Sequence, residues 1–213
     1  MNKYYLIFTI LFLFNICNNK QAGKIIKLPE PKREGGMPLY EALNKRKSSR
    51  DFNESAGITL ELLSQGLWSC YGIAEDNHRT VPSTNGWYPF IIFVFTKEGV
   101  YKYNPEKHEL LVLFDGDYRY VTGTQTKVVT KAAVNLVFIG DLRKKTRIVD
   151  DDNLKKLAMK YDIGHISMNL YLFAAANNMK AVIRGNFEHG RIFKFLGLSK
   201  KDYILDLTFS FGY

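Results

Sequence analysis

The apolar positions of this chain fall into two patterns: recurrence every three to four residues, and unbroken runs. Leu39, Ala42 and Leu43 recur at helical spacing behind Pro38, a residue suited to a first helical turn. They predict a helix running to about Lys47. Thr59 is a good N-cap for a second helix carrying Leu60, Leu62, Leu63, Leu67 and Trp68, and Gly72 can close it. Residues 76–89 have the Asn, Pro, Ser and Gly content of a loop. Phe90–Thr96 is continuously apolar, which predicts a buried strand. Glu98-Gly99 turns it back into Val100–Tyr103, which pairs with Leu110–Phe114 across Asn104–His108. Ala132–Ile139 is another buried strand. A long helical pattern follows from about Asp150 to Asn178, interrupted near Asp162–Gly164 and apolar on most faces in its second half. Ala181–Ile183 and Tyr203–Phe209 read as the last strands, with a short helix, His189–Leu196, between them. Helices and strands neither alternate cleanly nor segregate, so the pattern predicts an α+β layered domain over residues 38–213. Pro29, Pro31 and Gly35-Gly36 make residues 24–37 an extended arm.

The N-terminus carries a different signal. Lys3 precedes an apolar run, Tyr4 to Ile16, which is shorter than the ~20 residues needed to span a bilayer. A polar stretch, Asn18 to Gln21, follows. This layout predicts a signal peptide over residues 1–23, cut after Ala22 or Gly23, and hence an exported protein in the periplasm or at the envelope. A lipid anchor at Cys17 is the alternative, although Asn15 and Ile16 fit a lipobox badly.

The 213 residues, 46% of them hydrophobic, suffice for one core. Aromatics reach 14%, enough to shape a slot for a flat ligand. The net charge of +9 falls to +7 when Lys3 and Lys20 leave with the signal peptide. The remaining excess is scattered, whereas a nucleic-acid binder gathers charge on one recognition element. After cleavage Cys70 stands alone and makes no internal disulfide, so an apolar burial is expected for it. His78, His108, His165 and His189 lack metal-ligand spacing, and Asp150-Asp151-Asp152 reads as a solvated helix start. Neither a P-loop nor a Gly-x-Ser-x-Gly elbow occurs.

Four stretches could carry chemistry. Arg46-Lys47-Ser48-Ser49-Arg50 sets two guanidinium groups and two hydroxyls where a helix gives way to extended chain. Extended backbone would turn Arg46, Ser48 and Arg50 to one side, a donor set able to hold a phosphate. A solvated basic helix end is the plainer alternative. The loop Arg79 to Pro89 feeds a buried strand, as ligand loops often do, and is otherwise an ordinary surface loop. Gly164 to Asn169 lies in the most apolar helix. Val182-Ile183-Arg184-Gly185 runs a strand into a glycine, and its arginine could serve a ligand or close a core salt bridge.

These stretches together resemble the FMN-dependent nitroreductase family. The basic cluster followed by Phe52 is similar to that family's Arg-Arg-Ser-x-Arg-x-Phe opening. Leu67-Trp68-Ser69-Cys70-Tyr71-Gly72-Ile73 is similar to its Leu-Trp-Ala-Ala-x-Gly helix end. Arg79-Thr80-Val81-Pro82-Ser83 resembles the Arg-Thr-x-Pro-Ser loop of the branch that includes the azoline-forming dehydrogenases. Gly99 to Pro105 matches that branch's hairpin, while Gly164 to Ala176 looks like the family's core helix and Phe211-Gly212-Tyr213 matches the family's closing strand. The resemblance implies a three-layer fold with a central mixed sheet flanked by helices, a homodimer, and one FMN held without covalent attachment. It places Arg46, Ser48 and Arg50 at the phosphate and ribityl chain. Pro82, Ser83 and Thr84 would lie beside the isoalloxazine, often from the partner chain, with Arg184 and Gly185 near the other edge. The implied activity passes electrons from a reduced donor through flavin to a small acceptor. A non-catalytic flavin- or ligand-binding envelope protein on the same fold is the alternative. Met168 stands where the family often has Gln, and the sequence stops at Tyr213 without a basic tail. Both departures predict a weaker grip on FMN.

Overall fold

The computed structural model describes residues 22–147 and 151–213. Most of the expected signal peptide, including Cys17, lies outside them. Among the described residues no helix is long and apolar enough to cross a membrane.

Among the described residues eight strands form one sheet: β1 (Ile25–Lys27), β2 (Phe90–Phe95), β3 (Gly99–Asn104), β4 (Glu109–Asp115), β5 (Val134–Asp141), β6 (Lys180–Arg184), β7 (Tyr203–Ile204) and β8 (Thr208–Gly212). Their spatial order is β1-β4-β3-β2-β5-β8-β6, with β7 also on β5. The helices are α1 (Leu39–Lys45), α2 (Leu60–Tyr71), α3 (Thr126–Lys131), α4 (Asp152–Ala176) and α5 (His189–Leu196).

Strand β2 is apolar throughout, and β5 is apolar apart from Asn135 and its Gly140-Asp141 end, because both of their faces are covered. Side chains alternate across a strand. Ile92 and Val94 therefore join Leu67 of α2 and Leu170 of α4 on one side. Phe93 and Phe95 join Ile192 and Phe193 of α5 on the other. The result is three layers, as the resemblance implies. One feature differs from the expected mixed sheet: every described pairing is antiparallel. The helical crossover through α4 does return β6 in the direction of β5. The late strand β8 is inserted between them and runs against both.

The helix expected to break near Asp162 is continuous over Asp152–Ala176. Its N-cap is Asp151, which accepts from the backbone N–H of Asn153 and Leu154. Gly164 lies inside it with nothing near its would-be side chain. The expected strand Tyr203–Phe209 is two strands, β7 and β8, and the Leu205 carbonyl between them bonds the His189 ring instead of a neighbouring strand.

The arm is extended, and part of it pairs with β4 as β1, an edge strand that sequence pattern alone did not show. It is also clamped to α2. Ser64 Oγ donates to Pro29 O, so it must accept from His108 Nε2 at 2.6 Å. His108 Nδ1 is then left to accept from Tyr103 Oη at 2.9 Å. Burial holds the His108 pKa below the usual imidazole range.

Candidate functional site

Helix α1 ends at Lys45 because Arg46 turns to extended backbone, with φ −59° and ψ 119°. The chain then runs beside β6, where Ser49 N–H donates to Ala181 O at 2.8 Å. Phe52, buried against Ala132 and Val182, pins the far end. Tyr171 of α4 fixes the middle. Its hydroxyl accepts from Ile183 N–H at 2.9 Å and shares a 2.8 Å hydrogen bond with Ser48 Oγ. The Arg46 guanidinium lies 5.5 Å from the Tyr171 ring centre. Among the described residues no carboxylate pairs with Arg46 or Arg50. This strip therefore presents two uncommitted guanidinium groups beside an exposed serine. Such a donor set suits a dianionic phosphate.

Arg184 has the opposite surroundings. It is 4% exposed, on the sheet face where Asn135, Thr208 and Ser210 interrupt the apolar pattern. Nε donates to Ser210 Oγ at 2.9 Å, Nη1 to Thr122 O at 3.0 Å, and Nη2 to Asn135 Oδ1 at 3.2 Å. None of these acceptors is charged, and burial pushes the pKa down to about 10. Gly123 makes room for the guanidinium, since a Cβ there would sit 2.2 Å from Nη1. Sequence left open a ligand contact or a core salt bridge; the arginine in fact holds a neutral hydrogen-bond network. Gly185, next along, is exposed. A Cβ there would meet only Leu207, at 3.9 Å. The fold does not need that position bare, whereas a ligand approaching the backbone would.

The loop bearing Pro82, Ser83 and Thr84 is held by a residue that motif reasoning passed over. Asp162 of α4 is 2% exposed and accepts from Ser83 Oγ, and from Thr84 N–H and Oγ1, both at 2.9 Å. Ser83 Oγ also accepts from Tyr88 N–H at 2.8 Å, closing the loop on itself. Upstream, Arg79 stacks on Tyr71 and Tyr88, with centroid distances of 4.8 and 5.3 Å, and pairs with Glu106. An acid at a core-facing position of α4, among Ala158, Met159, Ile163 and Ile166, was the available signal for Asp162. Pro82 is exposed at the loop's outer side. Met168 is exposed at 46% and so contributes no polar contact where the family often has Gln.

Helix α4 thus organises both groups of site residues. Tyr171 brings the basic strip to β6, hence to Arg184 and Gly185. Asp162 holds the Pro82–Thr84 loop about 14 Å away along the same axis at 1.5 Å per residue.

The model of the nitroreductase family matches residues 43–213. A nitroreductase-named protein of Methanocaldococcus jannaschii is 28% identical over 190 residues, spanning 84% of this chain and 93% of its own length. A crystal structure described as a nitroreductase from Ralstonia eutropha superposes with a TM-score of 0.80 at 30% identity, covering 91% of this chain and 93% of that one. Another, from Exiguobacterium sibiricum and in complex with FMN, shares the fold with a TM-score of 0.61 at 16% identity, covering 85% and 90% of the two chains.

Proposed function

Because the chain belongs to the nitroreductase family and is an oxidoreductase of that family, we propose that it binds FMN and passes electrons from a reduced donor through the flavin to a small acceptor. The observation that carries this is the pair of unpaired guanidinium groups at Arg46 and Arg50, set beside Ser48 on a strip that Tyr171 fixes in place. These residues hold the phosphate and ribityl chain. Gly185 leaves backbone open to the ring's edge, and Arg184 acts as a positioning residue by locking the end of β6. Pro82, Ser83 and Thr84 lie beside the ring, kept in shape by Asp162. Bound FMN supplies the electron-carrying chemistry; this chain binds, orients and shields it, and no side chain need act as a nucleophile.

The loop and the strip sit at different places along α4, which fits a site shared by two copies. Exposed apolar side chains support a homodimer. Leu154, Leu157, Tyr161 and Met168 recur at helical spacing on α4 with 44–60% exposure. Leu39, Tyr40 and Leu43 extend that surface on α1, which packs against α4. The N-terminal pattern supports export of the protein.

The test is an absorbance spectrum of the purified protein before and after incubation with FMN and desalting. Stoichiometric flavin bands are expected. A colourless protein that releases all added FMN would overturn the proposal. Light scattering on the same sample should give twice the chain mass, and a monomer would sink the shared site.

A further inference from the structure

The loop that carries Pro82–Thr84 continues as Asn85–Pro89 and faces the segment after β5. Together they line an open cleft in two adjoining parts. The part beside Tyr88, Phe90, Asp141, Arg143 and Lys144 measures about 470 Å3. The part beside Asn85, Gly86, Trp87, Lys145, Thr146 and Arg147 measures about 510 Å3.

The walls are tied together. Trp87 Nε1 donates to Lys144 O at 2.9 Å, and Lys144 Nζ donates back to Tyr88 O at 2.7 Å. Asn85 and Gly86 both take left-handed backbone, with φ of 53° and 66°, conformations that Asn and Gly tolerate best. The cleft is therefore held in shape by its own backbone and cross-links.

Its four cations divide into two kinds. Arg143 is spent on Asp141, with Nε and Nη2 reaching the two carboxylate oxygens at 3.0 and 2.9 Å. That hydrogen-bonded guanidinium holds the Asp141 carboxyl below its ordinary range. Lys144 is spent on the Tyr88 carbonyl. Lys145 and Arg147 are exposed and, among the described residues, pair with no carboxylate. Among the described residues no acid lines the second part of the cleft.

We propose that this second part binds the carboxylate or phosphate of a small organic anion, with Lys145 and Arg147 supplying the charge. That the anion is a partner in electron transfer rests on the flavin reading, since one loop bears both Pro82–Thr84 and this cleft. The anionic group belongs either to a phosphate-bearing electron donor or to a carboxylate-bearing acceptor.

The test is calorimetric titration of the full chain with two matched pairs of probes. NADPH is set against the phosphate-free donor 1-benzyl-1,4-dihydronicotinamide, and 4-nitrobenzoate against 4-nitrobenzamide. At low salt at least one anion should bind about tenfold tighter than its neutral partner, the order expected of two surface cations. The preference should shrink as the Debye length falls from ~30 Å at 0.01 M to ~10 Å at 0.1 M ionic strength. Lys145→Gln with Arg147→Gln should abolish it, and Lys145→Arg with Arg147→Lys should keep it. A preference for NADPH identifies the donor, and one for 4-nitrobenzoate the acceptor. No preference for either anion, a preference indifferent to salt, or one that survives the Gln pair overturns the proposal. Flavin retention is measured on the same samples. A protein that prefers anions yet holds no flavin would sink the flavin reading and leave the anion site standing.

Discussion

Arg46–Arg50 and Arg184 use the same side chain in opposite ways. The strip keeps its guanidinium groups at the surface, stacked or solvated, with no acid among the described residues to consume them. Arg184 is buried with Ser210, Thr122 and Asn135 as its acceptors. All three arginines lie within one short stretch of fold joined by Tyr171, which bonds Ser48 on one side and Ile183 N–H on the other. The difference teaches that an arginine beside a candidate site is informative only once its donors are accounted for. A guanidinium whose bonds are spent inside the fold shapes the site; one whose bonds are free is available to fill it.

The sharpest way to break this contrast is Arg184→Met, which keeps most of the volume and removes the donors. Each buried acceptor left unmet costs about 1–3 kcal/mol, so a loss of about 4 kcal/mol is expected in urea unfolding. A loss below about 1 kcal/mol, the size of a typical single hydrogen bond, would mean that the network carries little. Arg46→Ala with Arg50→Ala should do the reverse. Stability should move by less than about 0.5 kcal/mol, as for ordinary surface changes. FMN affinity should fall by about 3 kcal/mol, or more than a hundredfold, for two charge-assisted bonds lost, as read by flavin fluorescence titration. If instead both variants weaken FMN equally without unfolding, the division between shaping and filling is wrong.

Asp162→Ala probes the other end of α4. Three hydrogen bonds to a buried carboxylate disappear, and about 2 kcal/mol of stability should go with them. Proteolysis within residues 82–88 should speed up while the basic strip keeps its FMN affinity. The smallest effect concerns the arm. His108 has a depressed pKa in the folded state, so the unfolded chain binds more protons. Its contribution is fully present above the unfolded value of about 6.5 and is lost as pH falls through the lower folded value. Thermal melts from pH 7 to pH 5 should show a modest decline that His108→Gln flattens. An undiminished slope in that variant would place the pH sensitivity elsewhere.

Much of this was legible in the sequence, for reasons that can be named. The run Phe90–Phe95 announced a strand covered on both faces, and Thr59 and Gly72 bracketed α2 as expected. The basic strip was legible because its residue types are unusual together. Asp162 was legible only in part: its core-facing place among Met159, Ile163 and Ile166 marked it as buried, but nothing local pointed to the loop it holds, far away in chain order. The short helix α3 and the edge strand β1 carry too few residues for a period to show. Arg184 was visible, but its role depends on Asn135 and Ser210, which only the sheet register brings near. The all-antiparallel sheet was hidden for the same reason, since nothing local in Thr208–Gly212 says which two strands it separates.

That insertion also constrains when the chain can fold. Strand β8 lies between β5 and β6 and carries Phe209 and Phe211, both fully buried, yet it comes last in chain order among the described strands. A ribosome-bound chain lacking it would have two unzipped strand borders and an open core, and would gain little by collapsing early. The native sheet becomes reachable only after Thr208–Gly212 has been synthesised. Under the proposed export, such postponement would keep the chain threadable until the translocation machinery has had its chance.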